Sequence, residues 1–231
     1  MRTYLLEKRI IQLALLITCV VLFVGMMDVW KGADNKAGVN NRSDAAGNQG
    51  AVLKNTKIVC IGDSYTSGYP GTAENAWPSK LAGQLGVEVM NAGESGLTST
   101  DLLGQFEQKV VTQEPGRVIL FAGNADAVKG VGIQTFQDNI KEMVSKAKEK
   151  GITPILVLPL PISGTEESIA SFRAWEGSYA KDNNLTVLDF QQVLADQDGK
   201  LKAEYTDTGD NRYPNAAGHQ VMGDYMAKML K

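Results

Sequence analysis

Lys57-Ile58-Val59-Cys60-Ile61-Gly62-Asp63-Ser64-Tyr65 is the stretch on which the fold turns. Its apolar run does not alternate with polar residues, so it reads as a strand buried on both faces. Gly62 allows a tight turn, and Ser64 falls where a helix begins. A hydroxyl there is exposed at the sheet edge, with its own backbone N–H directed at any anion formed beside it. Taken alone, Gly-Asp-Ser suits helix capping equally well, because Asp and Ser satisfy free amides at a helix start.

The same pattern repeats along the chain. Lys57–Ile61, Val87–Asn91, Arg117–Phe121, Thr153–Leu158 and Leu185–Asp189 are strand-like runs rich in Ile, Val and Leu. Helical periodicity separates them. Ile133, Phe136, Ile140, Met143 and Ala147 recur at spacings of three and four, as do Ile169, Phe172, Trp175 and Tyr179, and Ala217, Val221, Tyr225 and Met229. Thr165-Glu166-Glu167 reads as a helix start and Lys150-Gly151 as a helix end. Five strands alternating with helices predict one parallel α/β sheet covered on both faces, in the order 2-1-3-4-5. Ligands of such sheets bind beyond the carboxyl ends of the strands. Trp77, Phe172 and Trp175 fit core positions, and Cys60 fits a buried packing residue.

Composition narrows the function. The chain has 231 residues, 43% hydrophobic and 21% charged, which excludes wholesale disorder. Lys and Arg number 23 against 26 Asp and Glu, so no basic excess serves nucleic acid. Two cysteines, Cys19 and Cys60, exclude a disulfide scaffold and a cysteine-rich zinc site. A single histidine, His219, excludes a histidine-cluster metal site. No metal or other cofactor is implied.

The amino terminus is different in kind. Residues 10–27 form 18 positions without a charge, preceded by Arg2, Lys8 and Arg9 and ended by Asp28. As a helix they span roughly 27 Å, close to the ~30 Å bilayer core. The positive-inside rule keeps residues 1–9 cytoplasmic and places the chain after Asp28 outside. A cleaved signal peptide is the competing reading, but no small-x-small site follows the run. Residues 28–55 are rich in Gly, Ala, Asn and Asp and read as a flexible tether. The expected organisation is therefore a short cytoplasmic segment (1–9), a single-pass membrane anchor (10–27), a linker (28–55) and an extracytoplasmic domain (56–231).

Chemistry-bearing residues gather at the predicted strand ends. After the second strand comes Asn91-Ala92-Gly93-Glu94-Ser95-Gly96-Leu97-Thr98-Ser99, where Gly93 lets backbone approach a ligand. After the third comes Gly123-Asn124-Ala125-Asp126, and before the last helix Asp210-Asn211-Arg212-Tyr213-Pro214-Asn215-Ala216-Ala217-Gly218-His219. Together these segments resemble the SGNH/GDSL hydrolase family over residues 56–231. Gly62-Asp63-Ser64 matches its nucleophile block, Asn91–Ser99 its second block, and Pro214–His219 the end of its last block.

The resemblance implies a flavodoxin-like three-layer sandwich and acyl-ester hydrolysis through a serine acyl-enzyme. It implies Ser64 as nucleophile, with the Ser64 and Gly93 N–H groups and the Asn124 amide in the oxyanion hole. The third block also fits in a second register, with Asp126 on the family's Asp and Ala125 on its Asn. The last block departs from the family pattern Asp-x-x-His-Pro. Asp210 and Pro214 are present, but the histidine position is Tyr213. His219 matches a later position and reads as a helix-surface residue pointing away from Ser64. The Tyr213 ring is expected to face Ser64, with Asp210 accepting from its hydroxyl or pairing with Arg212. Pro159–Gly164 reads as a plain loop.

A serine hydroxyl needs a base to take its proton, and tyrosine, with a reference pKa of ~10, is a poor one. Three readings stand. One is an esterase with a weak or rearranged base, His219 or Asp210 acting directly. The second is an inactive relative binding an acylated glycan or another cell-envelope ligand. The third is a scaffold with a vestigial cleft. The expected partners are a small-molecule or glycan acyl ester and, through the amino-terminal helix, the membrane.

Overall fold

The computed structural model describes residues 55–207 and 212–231. The anchor run 10–27, most of the tether, and Asp210 lie outside the described residues. Among the described residues no helix is long and apolar enough to cross a membrane.

Five strands form one parallel sheet: β1 Ile58–Gly62, β2 Val89–Asn91, β3 Arg117–Phe121, β4 Thr153–Val157 and β5 Thr186–Leu188. Their order is β2-β1-β3-β4-β5, as predicted, with Cys60 beside Asn91 and Gly62 beside Phe121. Eight α-helices are described: α1 Ser64–Ser67, α2 Trp77–Leu85, α3 Ser99–Lys109, α4 Asn124–Lys129, α5 Ile133–Glu149, α6 Glu166–Asp182, α7 Gln191–Leu194 and α8 Ala216–Leu230.

Alternation along the strands divides the core in two. Val59, Ile61, Val118, Leu120 and Leu156 pack with Leu102, Phe106, Phe136, Ile140 and Phe172 from α3, α5 and α6. Ile58, Cys60, Ile119, Phe121 and Val157 face the other way, onto Trp77, Leu81, Met222 and Met226 from α2 and α8. Helices on both faces of the sheet make the predicted three-layer sandwich. Cys60 is buried and free.

One expectation needs correcting. Double burial holds for β1, β3 and β4, but β2 and β5 are three-residue edge strands whose residues are mostly part-exposed. An edge strand has a neighbour on one side only, so its flank meets solvent. Thr98 caps α3 in a reciprocal box with Asp101, and Asn215 caps α8 by accepting from the Gly218 N–H.

Candidate active site

The carboxyl edge of the sheet is assembled from backbone hydrogen bonds before any chemistry is considered. Asp63 follows β1 and is 2% exposed. Its Oδ1 accepts from the Tyr65 N–H at 3.0 Å, and its Oδ2 accepts from the Ala125 N–H at 3.0 Å. One carboxylate thus joins the turn after β1 to the turn after β3. Burial, partly offset by those amides, raises its pKa to about 7. Ser64 opens the four-residue helix α1 and stays part-exposed. Its Oγ accepts from the Gly96 N–H at 3.2 Å.

That contact comes from a different glycine than the one expected beside Ser64. The Gly93 N–H, expected beside Ser64, donates to Asn91 Oδ1 at 3.0 Å instead. Asn91 Nδ2 in turn donates to Thr66 O at 2.9 Å. Gly93 is required for a different reason: a Cβ there would lie 2.5 Å from Ser67 N and 2.7 Å from the Thr66 carbonyl carbon. The glycine lets the loop lie flat on α1. Gly96, at φ +78°, presents the free amide to Ser64. Its signal in the sequence is Ser95-Gly96, which lies further from the strand than Gly93. Gly93→Ala should cost about 1–3 kcal/mol or more through overpacking. The check is a melting temperature lowered by roughly 2–4 °C for each kcal/mol.

Asn124 is the first residue of α4 and 1% exposed. Its Nδ2 donates to Leu160 O at 2.6 Å, and its Oδ1 accepts from the Leu160 N–H at 3.0 Å. The amide is locked in one orientation, with one Nδ2 proton beyond that pair. Asp126 is occupied elsewhere: its carboxylate accepts from the Ser99 N–H at 2.9 Å and from Ser99 Oγ at 2.5 Å. The two registers therefore resolve: Asn124 lines the Ser64 pocket, and Asp126 pins the start of α3.

Ser64, Gly96, Asn124, Val128, Lys129, Ile162 and Tyr213 surround a cavity of about 80 Å³. The Pro159–Gly164 segment is thus more than a plain loop, since Leu160 clamps Asn124 and Ile162 walls the pocket. Tyr213 is part-buried. Its ring packs on Tyr65 at 5.3 Å between centroids and edge-on against Tyr69 at 5.0 Å. Tyr65 Oη donates to Arg212 O at 2.8 Å, which holds the backbone just before Tyr213.

His219 does not share this pocket, and it is not the surface residue expected. It is 3% exposed on the inner side of α8, and neither ring nitrogen has a hydrogen-bond partner among the described residues. Burial, then the nearby Lys80 charge, lowers its pKa to about 4. A depressed base contributes stability that is full above the ordinary 6.5 and is lost as pH falls through 4. The loss amounts to about 3 kcal/mol at ~1.4 kcal/mol per pKa unit. His219→Leu should therefore lose less stability than wild type between pH 7 and pH 4.5, as thermal melts at both values will show.

The sequence profile of the GDSL-like Lipase/Acylhydrolase family matches residues 60–221, which contain every site element described above. The chain belongs to this family. A GDSL family protein of known structure from Desulfitobacterium hafniense DCB-2 is 47% identical, covering 76% of this chain and 100% of that one, with a TM-score of 0.75. Thioesterase 1/protease 1/lysophospholipase L1 of Escherichia coli K12 is 26% identical over 177 residues, 75% of this chain and 83% of that protein. The acetylxylan esterase of Geobacillus stearothermophilus is 25% identical over 181 residues, 70% of this chain and 78% of that enzyme. The site and the family agree on esterase-type hydrolysis. Tyr213 lines the same pocket as Ser64.

Proposed function

We propose that this chain is a membrane-anchored, extracytoplasmic acyl-ester hydrolase that works slowly, because Tyr213 stands where its family uses a histidine. The observation that carries this reading is that Tyr213 lines the Ser64 pocket while the chain's single imidazole is buried elsewhere.

Ser64 Oγ attacks the ester carbonyl and gives its proton to solvent water, the alcohol leaves protonated by water, and a second water cleaves the acyl-Ser64 ester to release the acid and restore the serine. The oxyanion that forms is received by the Ser64 N–H, the Gly96 N–H and the remaining Asn124 Nδ2 proton. The serine proton is the difficulty. Asp63 lies next to Ser64, but each of its oxygens already accepts from an amide. Removing the histidine of a triad protease costs roughly 10⁶ in kcat, about 8 kcal/mol of transition-state stabilisation. The oxyanion hole and binding alone leave ~10³–10⁴ over water. Asp210 remains a candidate to orient or replace the base.

The apolar run 10–27 with Arg2, Lys8 and Arg9 before it supports a single-pass anchor, and residues 28–55 a tether. The substrate class is an acyl ester of a small molecule or glycan, in keeping with relatives named thioesterase and acetylxylan esterase.

The test is hydrolysis of p-nitrophenyl acetate by the full chain in membranes. A slow rate that Ser64→Ala removes supports the reading. Ordinary enzymatic rates overturn the slow base, and a rate indifferent to Ser64→Ala overturns the esterase. A soluble secreted product beginning after Met27 overturns the anchor.

A further inference from the structure

We propose that Lys129 is a positioning residue that holds the Gly96 amide against the Ser64 hydroxyl; the inference rests on the serine-hydrolase reading above. Lys129 is the last residue of α4, the short helix that begins with Asn124. Its Nζ crosses the pocket and donates to Gly96 O at 2.6 Å. The N–H of that same glycine donates to Ser64 Oγ at 3.2 Å.

Among the described residues Lys129 is the donor that the Gly96 carbonyl has. No heavy atom lies within 4 Å of the position its Cβ would take, so packing does not hold it. Its loop is anchored on either side, by Leu97 against the core and by the Glu94 N–H on Gly62 O at 3.0 Å, but neither contact reaches the Gly96 carbonyl. The bond from Lys129 is short and charge-assisted, roughly twice the strength of a neutral one. Among the described residues Lys129 forms no ion pair within 4 Å, although Asp101 is near enough to feel its charge, and the carbonyl is its hydrogen-bond acceptor.

The arrangement makes α4 responsible for two oxyanion donors. Asn124 at its first residue supplies one directly. Lys129 at its last residue sets the other through the backbone of Gly96. Oxyanion donors act over a range of only ~2.7–3.1 Å, so a loop released by a few tenths of an ångström loses stabilisation. A glycine at φ +78° has wide backbone freedom, and the lysine removes it.

The test compares Lys129→Met, which keeps length and loses the donor, with Lys129→Arg, which keeps a donor. Purified full-length chain in detergent is treated with a neutral alkyl p-nitrophenyl phosphonate, and the Ser64 adduct is followed by intact mass. Lys129→Met should lower the maximal rate at least 10-fold with an unchanged half-saturating concentration, and Lys129→Arg should restore it to within about 3-fold. The Gly96 amide should also exchange at least 5-fold faster in Lys129→Met, by nuclear magnetic resonance, and recover in Lys129→Arg. A wild-type rate in Lys129→Met overturns the proposal. So does a loss expressed only in half-saturation, which would make Lys129 a ligand contact. If wild type forms no adduct, the hydrolase reading fails separately. The exchange measurement then decides alone, and unchanged Gly96 exchange sinks the contact.

Discussion

Tyr213→His is expected to raise esterase activity by roughly 10²-fold or more, the usual contribution of a positioned general base. The backbone is already aimed. Arg212 O is held by Tyr65 Oη at 2.8 Å, and Asn215, which caps α8, accepts from the Gly218 N–H at 3.0 Å. An imidazole at position 213 would therefore enter the cavity that Ser64 lines. Near its reference pKa of ~6.5 it can accept the serine proton at neutral pH, which a phenol cannot do readily. The change has a cost. The tyrosine ring packs on Tyr65 and Tyr69, and aromatic pairs contribute about 0.5–1.5 kcal/mol each. A melting temperature a few degrees lower should accompany the gain in rate. Ser64→Ala in the Tyr213→His background should abolish the gain. If wild type is already fast, and His219→Ala removes that activity while Tyr213→Phe does not, His219 is the base and the assignment of roles is wrong.

Glu176→Met should stabilise the protein by about 1–3 kcal/mol at pH 8, the range for relieving a buried unsatisfied polar group. Glu176 lies on the inner face of α6, in line with Ile169, Phe172 and Ala180, and is fully buried. Neither carboxyl oxygen has a partner among the described residues. Arg173 lies near enough to help, but its guanidinium is held by Asp189 at 2.6 Å and by Pro159 O at 2.8 Å. Burial drives the Glu176 pKa well above 4.5, Arg173 offsets part of this, and Asp126 adds to it. For an acid raised on folding, the contribution to stability is full below the unfolded value and declines as pH rises toward the folded one. The advantage of Glu176→Met should accordingly widen from pH 5 to pH 8. Glu176→Gln, which keeps the shape but cannot ionise, should remove the pH dependence and keep the polar cost. Thermal melts of the three proteins at each pH separate these effects, and a less stable Glu176→Met at pH 8 would mean that the carboxyl has a partner in solution.

The strand order and the layers were legible because they rest on local patterns. Unbroken runs such as Ile58–Ile61 and Arg117–Phe121 are readable without knowing their neighbours. The caps were legible for the same reason: Thr98 and Asn215 bond amides within three residues of themselves. The exposure of β2 and β5 was missed in their apolar runs, although the predicted order already put both at the edges of the sheet.

The site divides along the same line. Ser64 and Asn124 could be named from sequence because each sits two or three residues past a strand end, and the strand dictates where that end points. Gly93 and Gly96 could not be separated, because both are glycines in one loop. Only the approach of Thr66 and Ser67 shows that the first is needed for close packing and the second for its free amide. His219 is the same case on a helix. Its spacing allows a surface or an interior position, and the packing of α8 on α2 decides for the interior. Lys129 and Leu160 carry no motif at all. They matter because folding brings Lys129 to Gly96, 33 residues away, and Leu160 to Asn124, 36 residues away. The chain alone determined the sheet and the family motifs at its strand ends. Which amides and side chains stand free to act beside them was decided by tertiary structure, because a hydrogen-bonding group is available only where folding leaves it unspent.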